Sequence, residues 1–155
     1  MERVGIVLQC AALQSRHGRS GDTGAGRREE MAIRRVLLVE DEALVAMAAI
    51  DKLNELGFEV VAAATAQAAV NHISAECGGA PFEFAVVDFG LPDRPGEQLI
   101  AELKALRPDL PIIVASGYAE DVLRGRINRD DGFAFLNKPY DLAGLQRAID
   151  AVAPP

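Results

Sequence analysis

The chain has 155 residues, half of them apolar and a quarter charged, enough for one domain with a true core and too short for two ordinary ones. Its formal net charge of −7 is unevenly divided: residues 1–35 hold seven arginines against four acids, whereas residues 36–155 hold nine basic residues against nineteen acids, a net −10. So acidic a body argues against direct binding of nucleic acid, which needs a basic face, and suits basic partners or bound cations.

The two cysteines, Cys10 and Cys77, lack metal-type spacing, so neither a disulfide framework nor a zinc site is expected; they read as reduced thiols of a cytoplasmic protein. A short apolar run from Val4 to Leu8 precedes Cys10, but Glu2 and the bulky Gln9 do not suit an export or lipoprotein signal, and the run is too short to span a bilayer. Residues 14–30 are Gly, Ser, Arg and acids with almost no apolar residue, a composition that cannot offset its ordering entropy. Residues 1–32 are therefore expected to be a disordered extension, with His17 solvated within it. Met31 directly precedes the folded pattern and is an alternative natural start, which would make residues 1–30 a translated leader. Mass spectrometry of the native protein tests this, because any peptide from before Met31 refutes it.

The folded body is expected over 33–153, with 154–155 as a tail. Residues 35–39 read as a buried strand and end in the acidic triplet Glu40-Asp41-Glu42. Residues 43–56 are rich in helix formers, with Leu44, Met47, Ala48, Leu53 and Leu56 as the expected apolar side and Gly57 as the stop. A second strand follows at 58–63. Thr65 is the N-cap of a helix running to about Cys77, on which His72 is exposed. Next comes Phe84-Ala85-Val86-Val87-Asp88, a buried strand that ends on an aspartate before Gly90 and Pro92 break it into a loop. Residues 96–106 give a helix with Leu99, Ile100, Leu103 and Leu106 on its apolar side. Residues 110–116 form a fourth strand, and a polar helix spans about 120–128. The turn Asp130-Asp131-Gly132 leads to a fifth strand at 133–136, closed by Asn137-Lys138-Pro139. Asp141 caps a last helix that runs through Val152.

Strands that are near-continuous apolar runs, alternating with helices, indicate an α/β fold: a doubly wound five-stranded parallel sheet covered on both faces. In such a sheet all strand carboxyl ends share one edge, where ligands bind. Glu40, Asp41, Asp88, Ser116 and Lys138 all fall at those ends. Each alone has an ordinary explanation as a cap or a solvated charge; together they define chemistry. Clustered carboxylates repel unless a cation joins them, and oxygen ligands suit Mg²⁺. A carboxylate beside such an ion can act as a nucleophile toward phosphorus, with the lysine adding positive charge.

The stretches Val-Leu-Leu-Val-Glu-Asp-Glu, Val-Val-Asp-Phe-Gly-Leu-Pro, Ile-Val-Ala-Ser-Gly-Tyr and Phe-Leu-Asn-Lys-Pro-Tyr resemble the receiver domain of two-component response regulators, over roughly residues 35–152. The resemblance implies a flavodoxin-like (βα)5 fold with strand order 2-1-3-4-5, in a stand-alone single-domain protein that is not an enzyme in its own right. It implies Asp88 as phosphoacceptor, charged by a sensor histidine kinase or a histidine phosphotransfer protein. Mg²⁺ would be held by Glu40, Asp41, Asp88 and the Gly90 backbone carbonyl. Ser116 matches the switch hydroxyl, Lys138 the phosphate-binding lysine and Phe135 the switch aromatic, and the Lys138-Pro139 bond is expected to be cis. Four positions stand out against the commonest pattern. Glu40 replaces an aspartate and reaches the ion through water, Phe135 stands where tyrosine is frequent, and Gly90 and Tyr118 occupy the two positions that tune dephosphorylation. The resemblance also implies output to a separate protein target through the face of the fourth helix, fifth strand and last helix, which carries Tyr118, Arg124, Arg126 and Arg129. Two other readings compete. An aspartate-nucleophile phosphohydrolase is disfavoured because Gly90 stands where its second acid belongs. A phosphorylation-independent interaction module is disfavoured by the complete polar set.

Overall fold

The structure, a computed structural model, describes residues 33–75, 81–117, 122, 125 and 132–153. Five strands, β1 (Arg35–Val39), β2 (Glu59–Ala63), β3 (Phe82–Asp88), β4 (Ile112–Ser116) and β5 (Phe133–Asn137), form one sheet in the order β2-β1-β3-β4-β5. Every pairing is parallel. Helices α1 (Ala43–Glu55), α2 (Ala66–Ser74) and α3 (Gly96–Leu106) and a C-terminal helix (Leu142–Val152) cover the sheet. The doubly wound architecture and strand order expected above are those observed. The polar helix expected at 120–128 falls largely outside the described residues, as do the extension at 1–32 and the tail at 154–155.

Alternation along each strand splits the core in two. Leu37, Val39, Ala85, Val87, Ile112 and Val114 face Ala66, Ala69 and Ile73 of α2 and Leu99, Ile100 and Leu103 of α3. Val36, Leu38, Phe84, Val86, Ile113 and Ala115 face Ala49 and Leu53 of α1 and Leu145, Ala148 and Ile149 of the C-terminal helix. Strands buried on both sides have no polar alternation to show, which is why they read as unbroken apolar runs.

Boundaries differ from the expectation by a few residues. Strand β3 begins at Phe82 rather than 84, β4 at Ile112 rather than 110, and α2 ends at Ser74. The substantive correction is in α1. Leu44 is 76% exposed and Met47 62% exposed, and Ala48 is exposed beside them. The inward stripe is Ala46, Ala49, Ile50 and Leu53. Both stripes recur at helical spacing, half a turn apart, and the sheet takes the one whose alanines let the helix backbone approach closely. Leu106, expected on the apolar side of α3, is likewise half exposed, whereas Leu99, Ile100 and Leu103 are buried as expected. Gly57 ends α1 at φ 90°, a left-handed conformation open to glycine, with the Phe58 N–H donating to the Leu53 carbonyl at 3.0 Å. Thr65 and Asp141 cap their helices as expected, accepting from the N–H groups of Ala68 and Gly144. His72 is exposed on α2, and the Lys138-Pro139 bond is cis. Among the described residues no helix is long and apolar enough to cross a membrane.

Candidate functional site

The parallel sheet gathers the carboxyl ends of β1, β3, β4 and β5 along one edge, and with them all five polar side chains singled out from the sequence. Glu40 follows β1 directly, its N–H donating to the Ala63 carbonyl of β2 at 3.0 Å. That bond, taken at the last position of the ladder, holds the glutamate inside the edge, where the residue is buried. Asp41, the next residue, is exposed at the rim. Asp88 is the last residue of β3 and is buried; the next backbone N–H, of Phe89, donates to Ala115 of β4. Ser116 ends β4 and is also buried. The Lys138 N–H donates to the Ser116 carbonyl at 2.8 Å, which carries β5 alongside β4 past its last residue and delivers the lysine to the same edge.

There the Lys138 ammonium donates to Glu40 Oε2 at 2.6 Å and lies 3.1 Å from Asp88 Oδ1. The other oxygen of Glu40 accepts from the Glu42 N–H at 3.0 Å, and Asp88 Oδ1 accepts from the Gly90 N–H at 3.1 Å. One oxygen from each of Glu40, Asp41 and Asp88 can be chosen so that all three lie within 4.8 Å of one another. Three carboxylates cluster around one ammonium that contacts two of them, so the edge carries excess negative charge in a partly desolvated place. Desolvation raises the Glu40 carboxyl above its ordinary value; the hydrogen bonds from Lys138 and Glu42 oppose this, while the charge of Asp88 adds to it. Burial by itself would lower Lys138, but its bonds and charge contacts with Glu40 and Asp88 outweigh that and hold it above its ordinary value. Tyr140, two residues on, is raised mainly by burial. An all-oxygen donor set with charge left over fits a hard divalent cation. The Gly90 loop borders the same carboxylate: a Cβ built at Gly90 would stand 3.8 Å from Asp88 Oδ1, so glycine leaves that side of the acid open.

Phe135 is half buried on β5, paired with Val114 of β4, and packs against the core on the α2–α3 side of the sheet. Ser116 is two residues along β4 from Val114, so it lies on that same sheet face. Tyr118, Arg124, Arg126 and Arg129, together with Cys10, Cys77 and His17, lie outside the described residues.

Sequence reasoning missed the bracing of the loop that follows Asp88. Asp93 accepts from the N–H groups of Ala66 and Gln67 in the first turn of α2, both at 3.0 Å. Arg94 donates to Gln67 of α2 and Glu102 of α3, both at 2.6 Å. An aspartate in a Pro- and Gly-rich loop looks like an ordinary turn former, and no local signal marks a partner 26 or 27 residues away.

A family model described as the response regulator receiver domain matches residues 36–150. Among curated proteins, the chain is 38% identical over 114 residues to the sensor kinase CckA of Brucella abortus, covering 74% of this chain and 12% of that protein. It is 32% identical over 118 residues to the transcriptional regulatory protein PdtaR of Mycobacterium tuberculosis, covering 76% and 55%. The chain thus spans an eighth to about half of the length of these relatives. Among solved structures, a CheY-like response regulator receiver domain protein from Methanospirillum hungatei is similar with a TM-score of 0.64 and 30% identity, over 76% of this chain and 91% of that one. A response regulator from Burkholderia pseudomallei, solved with a phosphorylated aspartic acid, a calcium ion and citrate, is similar with a TM-score of 0.64 and 28% identity, over 74% and 65%.

Proposed function

The chain belongs to the response regulator receiver domain family, and from that membership we propose that it accepts a phosphoryl group on Asp88 from a histidine kinase or a histidine phosphotransfer protein. The observation that carries this reading is the placement of the Asp88 carboxylate, buried at the end of β3, 3.1 Å from the Lys138 ammonium and clustered with Glu40 and Asp41. In the transfer, a carboxylate oxygen of Asp88 bonds to phosphorus as the phosphorus–nitrogen bond of the donor imidazole breaks, and the electron pair stays with that nitrogen. Glu40, Asp41, Asp88 and the Gly90 carbonyl would hold Mg²⁺, which when bound would supply charge neutralisation at the transferring oxygens. Lys138 leaves its contact with Asp88 for a phosphoryl oxygen, keeping one positive charge on the group as it moves. Glu40 keeps the lysine at the edge throughout.

The acyl phosphate adds close to two negative charges at the sheet edge. The Ser116 hydroxyl donates to a phosphoryl oxygen, and Phe135 turns into the space that the serine vacates. These are two packings of one core, and phosphorylation shifts their balance. The remodelled face, built on β5 and the C-terminal helix with the segment between β4 and β5, signals to a separate protein. Tyr118 and Gly90 set how easily water reaches the acyl phosphate, and with it the lifetime of the signal. The chain does no chemistry beyond its own phosphorylation and dephosphorylation, in the cytoplasm. A protein donor suits the rim of the site: α1 presents Leu44 and Met47 to solvent in the turn directly after Asp41, an apolar surface for a second chain rather than for a small molecule.

Incubation with a small acyl phosphate donor and Mg²⁺, followed by intact mass and peptide mapping, tests the reading. A hydroxylamine-sensitive phosphoryl group on Asp88 supports it. Rapid multiple turnover of the donor would identify a hydrolase, and no labelling at all an interaction module.

A further inference from the structure

Seven residues, 89–95, separate the end of β3 from α3, and the Gly90 carbonyl is among them. Their course is fixed at both ends. At one end the loop folds back on the start of α3: a Cβ at Gly96 would meet the Phe89 ring at 2.7 Å and the Phe89 carbonyl at 2.8 Å, so only glycine permits the fold. At the other end Asp93 spends both carboxylate oxygens on the first two N–H groups of α2. Those amide bonds, that of Ala66 first, hold its carboxyl below the ordinary carboxylate range. Arg94 adds a second strap, across α2 and α3.

α2 does not need Asp93 for its own cap alone. Thr65 already accepts from the Ala68 N–H, and the Ala69 N–H donates to the Thr65 carbonyl. What Asp93 adds is a link between two neighbouring connections at the carboxyl edge, the one that starts α2 and the one that leaves Asp88. We propose that Asp93, braced by Arg94, is a positioning residue: by tying loop 89–95 to the amino end of α2 it fixes the Gly90 carbonyl beside Asp88 and so sets the affinity for the divalent cation. A ligand carbonyl held in place before the ion arrives loses little conformational freedom on binding; the same carbonyl on a loose loop must be ordered each time. This rests on the reading above, in which Asp88 and Gly90 hold the ion.

The test measures Mg²⁺ affinity by calorimetry, with urea unfolding in parallel. Asp93→Ala is expected to weaken Mg²⁺ binding roughly ten-fold. Thr65→Ala, which removes a cap from the same helix without touching the loop, is expected to lower stability and leave the affinity unchanged. Asp93→Asn retains one acceptor oxygen and falls between wild type and Asp93→Ala. Equal Mg²⁺ affinity in Asp93→Ala and Thr65→Ala overturns the inference, because Asp93 is then only a cap. Should Asp93→Ala fail to fold, Arg94→Gln removes the second strap, and an affinity equal to wild type overturns the inference in the same way. A wild-type chain that binds no Mg²⁺ refutes the functional reading itself, an outcome distinct from a wild type that binds and an Asp93→Ala that binds as well.

Discussion

At the amino edge of the sheet each arginine meets an acid on a neighbouring strand. Arg34 donates to both oxygens of Glu83 and Arg35 lies 3.5 Å from Glu59, with the two guanidinium groups over the rings of Phe58 and Phe82. At the carboxyl edge three acids cluster and the one lysine among them contacts two. The same residue types are matched at one edge and unmatched at the other. Matched, half-exposed pairs contribute little, because solvent screens them and two long side chains must be held still. Unmatched, buried carboxylates cost stability, and a chain selected for stability alone would not keep them. The difference points to where a function sits: folding needs no surplus of negative charge, whereas holding a divalent cation would.

The contrast can be broken from the carboxyl edge first. Asp88→Asn removes the nucleophile, and labelling by a small phosphodonor is expected to vanish while the far-ultraviolet circular dichroism is unchanged. Labelling of that variant elsewhere in the pocket would move the acceptor to another acid. Lys138→Ala leaves the acids without their ammonium. The labelling rate is expected to fall roughly 100-fold, as for loss of a transition-state charge partner, and saturating Mg²⁺ should recover stability more than rate. A rate within a few-fold of wild type would show that the lysine only balances charge in the resting state.

A pH titration sharpens the comparison further. A carboxyl raised on folding binds more protons in the native than in the unfolded state, so its share of stability is present below the unfolded value and is lost as pH rises through the folded one. Without Mg²⁺, urea midpoints are therefore expected to decline as pH rises above the ordinary Glu value of 4.5, and Glu40→Gln should flatten that decline. An unchanged slope in Glu40→Gln would mean that Glu40 is not the strained acid. Lys138 carries the same sign at the other end of the scale: its contribution persists up to its ordinary value of 10.5 and is lost above it. The smallest effect belongs to the amino edge. Glu83→Gln is expected to cost about 0.2–1 kcal/mol in urea unfolding and to leave the labelling rate unchanged.

Much of this was legible without coordinates. Five apolar runs, four of them ending in polar residues, identified the strands, and Thr65, Asp141 and Gly57 marked helix ends, because each acts within a few residues of itself. Glu40, Asp41, Asp88 and Lys138 could be placed on one edge because parallel strands share a direction. The inward face of α1 was read correctly at Leu53 and Leu56 and wrongly at Leu44, Met47 and Ala48. Leu44 and Met47 offered more apolar surface than Ala46 and Ala49, and periodicity cannot say which of two stripes the sheet accepts. Asp93 was invisible for a related reason, since its worth lies in amide groups on another helix.

By itself, then, the sequence determined the order and kind of the elements, their caps and the inventory of reactive groups, since these follow from neighbours along the chain. Tertiary structure alone decided that Lys138 contacts Glu40 across 98 residues, that Ala46 and Ala49 rather than Leu44 and Met47 face the sheet, and that Asp93 ties the loop after Asp88 to α2. Those choices follow from close packing and from the obligation of buried amides and charges to find partners, and the partners are known only once the sheet has brought distant segments together.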